Sequence, residues 1–407
     1  MIKSGDNKIN LVIFTLYFPP KISTASNRLE AFARYFNKNA FNITVICPET
    51  GKRNEFKEIE KIKIIRLENK PHFLKIKFTG KESFVIHKLK ALYNKIFTCF
   101  IHNENRNWEN EAIKTFMTIN KNSKVDIVLS TFPTVEPHSA VLKLKNEGYD
   151  FKWIADMRDE MSLNPYNNRQ NKIYLSKIEK RLFEKADLIT TTTPSLVKAF
   201  EGLAKGKVAV EEIRNGYDFE ISDEYNYNEV FTICHTGTFY SDIKPYSFLK
   251  AISSLKAEKR LPEMKIVFVG AGNTVVIPSE LKSIVTTTGK IPHKQAEKRI
   301  KEADANLLIV PGSISKYLPG KLYEYIASRK PVIALSGINS ESAKLIKDCN
   351  AGFIADFDNI NDIKKVILTT YNLWKERKRL EVKMEYFKQF HRKEQVKKLE
   401  KMILEKL

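Results

Sequence analysis

"PGKLYEYIASRKPVIALS", residues 319–336, is the stretch from which the rest of the chain can be read. It opens on Pro-Gly, sets Lys321 and Glu324 one helical turn apart, and runs through apolar and small residues to Lys330-Pro331. Proline stops the helix, and "PVIAL" then reads as a short buried strand. A helix that feeds directly into a buried strand is the repeating unit of a parallel-sheet α/β domain. The charged pair at the start of so apolar a helix needs a reason beyond the core.

The same alternation extends in both directions. Strand-like runs at 230–237, 265–270, 283–289, 305–310, 331–335 and 352–357 form one series. Runs at 9–16, 42–47, 62–67, 125–130, 152–157 and 187–193 form an earlier one. Helix-period segments lie between them, among them 27–38, with Leu29, Phe32, Ala33 and Phe36 on one face, and 138–148, which ends on glycine. Apolar strands without strict alternation imply sheets covered on both faces. Two such series predict two doubly wound α/β domains, with function at the carboxyl ends of the strands. The break is expected in the polar stretch 214–230. The last 35 residues read as charged helix that keeps a docking stripe of Val396, Leu399, Ile403 and Leu407.

Length and composition agree with two folded domains: 407 residues, 43% hydrophobic and 29% charged. No apolar run reaches the eighteen or so residues needed to span a bilayer. The early run 9–20 is short, interrupted by Asn10 and closed by Pro19-Pro20, so it reads as a first strand rather than a signal peptide. Cys47, Cys99, Cys234 and Cys349 are scattered without metal-site spacing, as expected for a reduced, cytoplasmic chain. Net charge is 69 − 48 = +21, which points to an anionic partner. Lysine-rich composition and solvated helix faces account for part of it. The segment 71–103 mixes lysines with Phe, Leu, Ile and Tyr. It leaves two readings open: a cationic element resting on an anionic membrane, or an ordinary amphipathic helix.

No P-loop, H-E-x-x-H or G-x-S-x-G signature is present. "GAGN" (270–273) follows a strand but lacks the rest of a dinucleotide fingerprint. No basic-aromatic nucleic-acid module is found, so nucleic acid is not expected as a partner.

The order of the remaining stretches is more specific. "LYFPP" and Arg28 follow the first strand, and "WIADMRDEM" (153–161) follows a later one. "ADLITTTTPSL" (186–196), "IRNGYD" (213–218), "HTGTFY" (235–240), "VFVGAGN", "TGKIPHKQAEKRIKEADANLLIVP", the opening stretch and "AGFIADFDN" complete the series. In this succession the chain resembles, over nearly its whole length, the GT-B retaining glycosyltransferases, family 4 in particular. It is most similar to the branch that builds bacterial capsules, O-antigens and other surface polysaccharides.

The resemblance implies two Rossmann-like domains facing a cleft. Residues 1–218 would take the acceptor and 219–385 the nucleotide-sugar. The helix 386–407 would dock back on the first domain. It implies transfer of a hexose from a UDP- or GDP-type donor, with retention, to a hydroxyl of a lipid-linked glycan. The leaving phosphate would help to deprotonate the acceptor, and no metal or cofactor is expected. The protein would work at the inner face of the cell membrane, against its anionic surface. Two alternatives stay open: a nucleotide-sugar epimerase of the same fold, and a non-catalytic GT-B scaffold in a membrane assembly.

The chemistry of such a donor suits the opening stretch. A helix N-terminus offers unpaired N–H groups and a positive dipole end to a diphosphate, and Lys321 adds a full cation. A carboxylate one turn on, Glu324, can accept strong hydrogen bonds from both ribose hydroxyls. The bland alternative is a weak surface pair. Gly237, Thr238, Lys244 and Lys316 complete the expected donor set by resemblance, with two departures. Lys316 stands where many relatives have a first glutamate, and Thr238 where they have an arginine, leaving Lys244 as the nearest phosphate lysine. In the first domain, Asp159 is expected to orient the acceptor or take its proton. Arg158 would stabilise charge on the leaving group, and Asp156 would join that network. Ser26, in the small-residue run Ser23 to Ser26, and Arg28 and His138 are the acceptor-side candidates. For Arg28 a surface role is as open as ligand contact, and for His138 a structural role is favoured. His293 lies in a loop expected beside the base, where its side chain is incidental.

Overall fold

Apolar runs that need cover on both faces become the central strands of two parallel sheets. The computed structural model describes residues 8–21, 23–49, 61–69, 86, 88–90, 104–219, 221, 225–239, 243–272 and 274–407. The chain divides into two compact units, Met1–Arg214 with Gln395–Leu407, and Asn215–Glu394.

In the first unit the strands are β1 (Ile9–Phe14), β2 (Phe41–Pro48), β3 (Ile62–Leu67), β4 (Ile127–Thr131), β5 (Lys152–Asp156), β6 (Leu188–Thr191) and β7 (Ala209–Glu212). Among the described residues they form a seven-stranded sheet in the order β3-β2-β1-β4-β5-β6-β7, parallel throughout. The connecting helices are α1 (Thr24–Tyr35), α2 (Arg106–Asn122), α3 (Glu136–Asn146), α4 (Arg169–Lys185) and α5 (Pro194–Ala204). α1 begins three residues earlier than its apolar stripe suggests, because the Ser23 hydroxyl caps it by accepting from the Ser26 amide at 3.0 Å. β7 was not expected from the sequence. As the last strand of the sheet it buries Val210 and leaves Ala209 exposed, so its apolar signal is weak.

The second unit has β8 (Phe231–Thr236), β9 (Met264–Val269), β10 (Val285–Thr287), β11 (Ala305–Val310), β12 (Val332–Ser336) and β13 (Gly352–Ala355). Their order is β10-β9-β8-β11-β12-β13, again parallel. Its helices are α6 (Tyr246–Ala257), α7 (His293–Glu302), α8 (Gly320–Ala327), α9 (Glu341–Asp348), α10 (Ile360–Lys375) and α11 (Met384–Lys388). Side-chain alternation explains the continuous apolar runs. Leu307, Ile309, Ile333 and Leu335 enter one core with Phe248, Ile252 and Ile363. Their neighbours Leu308, Val310, Val332 and Ala334 enter the opposite core with Leu322, Tyr325 and Ile346. The last helix, α12 (Arg392–Lys406), sends Val396, Leu399, Met402 and Ile403 into the core formed by β1, β2, β4 and α1.

Each sheet reverses its strand order beside its first strand, at β1/β4 and at β8/β11. Such a switch point opens a crevice at the carboxyl ends. β8 and β11 pair only at Ile233–Ala305 and Cys234–Asn306, so their carboxyl ends separate just where the opening stretch begins. No helix among the described residues is long and apolar enough to cross a membrane. The cationic segment 71–103 lies outside the described residues, apart from 86 and 88–90.

Candidate functional site

The site of the second unit is built on Thr236, the last residue of β8. Beyond the point where β8 leaves β11, the Thr236 amide finds a side-chain partner and donates to the Tyr325 hydroxyl at 2.9 Å. The carbonyl of Thr236 accepts from Lys321 Nζ at 2.6 Å. Two residues of α8 thus hold both backbone groups of one strand-end residue, which satisfies a buried position that the sheet leaves open. Leu322, Tyr323, Tyr325 and Ile326 are buried, so Lys321 and Glu324 fall on the narrow stripe of α8 that remains partly accessible.

Gly237 follows with φ +114°, a backbone region unfavourable for other residues. A Cβ there would lie 2.8 Å from Lys321 Nζ. The glycine therefore permits both the turn and the approach of the amine. The same Cβ test at Gly270, after β9, meets the Gly237 backbone at 3.5 Å. Two strand-to-helix turns and one ammonium group therefore converge on a small volume. The Thr238 hydroxyl donates to the Gly270 carbonyl at 3.3 Å. Burial pulls the Lys321 ammonium down to about 8, with Glu324 opposing. No carboxylate forms an ion pair with Lys321 among the described residues. An arrangement of backbone N–H groups, a helix start and one such cation is chemically fitted to an anion.

Glu324 has a partner that sequence reasoning did not find. His293 Nε2 lies 3.1 Å from Glu324 Oε1, and its Nδ1 lies 3.1 Å from Glu297 Oε1. The hydrogen bond to Glu324 holds the imidazole above its ordinary range against burial. The side chain of His293 is therefore engaged, contrary to the expectation that it is incidental. His293 and Glu297 are four apart on α7, a spacing visible in sequence; the contact to Glu324 spans 31 residues and is not.

The other donor-side candidates are less organised. Lys244 Nζ reaches the Phe239 and Thr274 carbonyls at 3.4 and 3.5 Å. Lys316 is exposed in the loop before α8. His235, which precedes Thr236, was not singled out. It donates from Nδ1 to the Leu307 carbonyl at 2.8 Å, stacks on Phe239, and has no partner for Nε2 among the described residues. Burial and the Lys321 charge keep it well below the ordinary histidine range.

In the first unit the expected acceptor residues turn inward. Arg28 is 2% exposed and forms a two-pronged pair with Asp156, at 3.0 Å from Nε and 2.8 Å from NH2. Its NH1 donates to the Arg214 carbonyl at 2.9 Å. Asp156 also accepts from Thr131 and Thr190. Burial raises its carboxyl, but Arg28 and Thr190 outweigh this and hold it below the usual range. All three guanidinium nitrogens of Arg28 are thus engaged within the unit. His138 is likewise buried. Its Nδ1 lies 2.7 Å from the Ser130 hydroxyl, which also accepts from Trp153 Nε1. Burial pushes it down to about 4, with Asp156 opposing. Ser26 is buried in the first turn of α1.

Arg158 and Asp159 sit just beyond β5, at a carboxyl end. Arg158 is buried, its carbonyl accepts from Thr192, and its Nε has no partner among the described residues. Asp159 keeps partial exposure, and burial raises its carboxyl against the pull of Arg158. Glu179, on α4 and unremarked in the sequence, accepts from Ser162 and is pushed up to about 7 by burial. No cluster suited to a metal ion occurs among the described residues.

Residues 230–373 match the family model described as glycosyl transferases group 1. No curated protein matches the chain by sequence. Among solved structures, the sucrose-phosphate synthase of Thermosynechococcus elongatus superposes with a TM-score of 0.68 at 12% identity, covering 97% of this chain and 98% of that one. An Anabaena protein, HepE, in complex with UDP-glucose gives 0.59 at 12% identity, covering 97% and 99%. The lipopolysaccharide outer core galactosyltransferase WaaB gives 0.57 at 13% identity, covering 98% and 100%. These likenesses, with two parallel-sheet Rossmann-like units, show the GT-B fold.

Proposed function

We propose that this chain is a retaining hexosyltransferase that moves a sugar from a UDP- or GDP-type donor to a hydroxyl of a lipid-linked glycan. It would work in surface-polysaccharide assembly at the inner face of the cell membrane. The observation that carries the reading is the start of α8. There the Lys321 ammonium reaches the Thr236 carbonyl beside Gly237, and Glu324 stands one turn on. A diphosphate fits the first group and a ribose diol the second. The family match over 230–373 supports the transfer chemistry. The UDP-glucose bound by HepE supports the donor class. The likeness to WaaB, a galactosyltransferase of the lipopolysaccharide outer core, supports the polysaccharide setting.

In this reading Lys244 and Lys316 add positive charge for the leaving diphosphate and the Thr238 hydroxyl contributes a donor. Arg158 and Asp159 serve the acceptor side of the first unit. A partly exposed carboxyl with a raised pKa suits orientation of a hydroxyl and transient acceptance of its proton. The protein's contribution is positioning and fixed charge, and no metal is required.

Calorimetry with UDP and with GDP tests donor binding, and product analysis with the matching nucleotide-sugars tests transfer. Glu324→Ala is expected to remain folded and lose turnover; full turnover at saturating donor would sink the assignment. The departures at Thr238 and Lys316 favour one second reading, a non-catalytic scaffold, which binds neither nucleotide. Product formed from donor alone would instead indicate an epimerase.

A further inference from the structure

The contacts of His293 carry a consequence of elementary proton counting. Carboxylate oxygens accept hydrogen bonds, and a neutral imidazole has a single N–H. Here both ring nitrogens face carboxylate oxygens at 3.1 Å, Glu297 on the same helix and Glu324 on α8. Both contacts are satisfied together when the ring carries two protons. We infer that His293 is a positioning residue for Glu324, an imidazolium that clamps one carboxylate oxygen and makes nucleotide binding dependent on pH. This rests on the reading of Glu324 as the acceptor of the ribose hydroxyls.

The clamp has two effects. It fixes the Glu324 side chain through Oε1, and no hydrogen bond to Oε2 is made among the described residues, so that oxygen faces no internal competitor. It also places one positive charge against two carboxylates near a site meant for an anionic diphosphate. Loss of the proton would leave one N–H for two carboxylates, loosening the hold on Glu324, and would leave the charges of Glu297 and Glu324 uncompensated; both changes weaken an anionic ligand. The Arg392 charge also acts on the ring and favours the neutral form. The hydrogen bond to Glu324 outweighs this and raises the titration above the ordinary 6.5, so the clamp is present below 6.5 and is lost as pH rises through the raised value.

The first measurement is independent of any nucleotide: NMR titration of the His293 ring in the whole protein. The expected result is a pKa above 6.5 that falls in both Glu297→Gln and Glu324→Gln. A value at or below 6.5, or one that neither variant moves, overturns the clamp. The second is binding of UDP and of GDP across pH 6 to 9. The nucleotide that binds is expected to weaken by on the order of tenfold as His293 deprotonates. His293→Gln, which keeps an N–H for Glu324, should lose the step set by the imidazole and start from intermediate affinity, and His293→Leu should do so from the weak limit, each keeping only the fall that follows as Lys321 deprotonates at about 8. A wild-type profile that persists in His293→Leu overturns the inference. If the NMR result holds but Glu324→Ala binds nucleotide like the wild type, the ribose reading fails and the regulatory proposal fails with it, while the ion-pair geometry stands.

Discussion

Tyr325→Phe isolates the link that joins α8 to the end of β8. The substitution keeps the buried ring and removes only the hydroxyl, which accepts from the Thr236 amide at 2.9 Å and lies 3.1 Å from the Thr236 hydroxyl. Thr236 is 7% exposed, and β8 no longer pairs with β11 at this level, so the freed amide has little access to water. An orphaned buried donor costs about 1–3 kcal/mol. For a unit of this size each kcal/mol shifts Tm by roughly 2–4 °C, so the expected loss is roughly 2–12 °C. Urea melts supply the free energy, and hydrogen exchange at the Thr236 amide supplies the location. That amide should become one of the faster exchangers of β8, whereas Ile233 and Cys234 should change little. If Thr236 stays as protected as before and stability moves by less than about 0.5 kcal/mol, the sheet does not depend on this hydroxyl. The account of how α8 is positioned then falls.

Asp156→Asn should destabilise the first unit by about 3–5 kcal/mol, because Arg28 is left charged and buried. The double change Arg28→Met with Asp156→Leu should recover most of that in urea melts. Gly237→Ala should cost more than Gly272→Ala. The backbone is at φ +114° at 237 against +52° at 272, and a Cβ at 237 would also press on Lys321 Nζ while one at 272 meets nothing within 4 Å. Equal costs in thermal melts would remove the argument for that approach. Two buried groups in the first unit should give stability slopes of opposite sign. Below 6.5 the unfolded chain protonates His138 while the folded form waits until about 4, so this group makes stability fall as pH falls across that window. Glu179 holds its proton to about 7 when folded and loses it near 4.5 when unfolded, so it makes stability fall as pH rises from 4.5 to 7. Relative to the wild type between pH 5 and 6.5, His138→Gln should add a slope down toward neutrality and Glu179→Gln a slope up; changes of the same sign in the two variants would contradict the assignments.

The two series of parallel strands were legible because burial on both faces writes itself into consecutive residues. "ANLLIV" sends alternate side chains into two different cores, and both must be apolar. β7 escaped notice because the last strand of a sheet has little to bury. The stretch 319–336 could be read as helix and strand for the same local reason, and Lys321 and Glu324 stood out as the charges its packing does not need. Arg28 shows the limit. Its position after the first strand left ligand contact and a surface role equally open; its partner Asp156 is 128 residues away, and nothing local marks that pairing.

The sequence alone determined the classes of element, their alternation, and which face of α8 carries charge. Each depends on neighbours within one or two turns, where periodicity and burial act directly. Tertiary structure decided what those charges meet. Lys321 reaches the carbonyl of Thr236 across 85 residues, Tyr325 caps the same residue's amide, and His293 closes on Glu324 across 31. Hydrogen bonds and ion pairs are short-ranged in space and indifferent to chain separation, so only the folded chain could choose these partners.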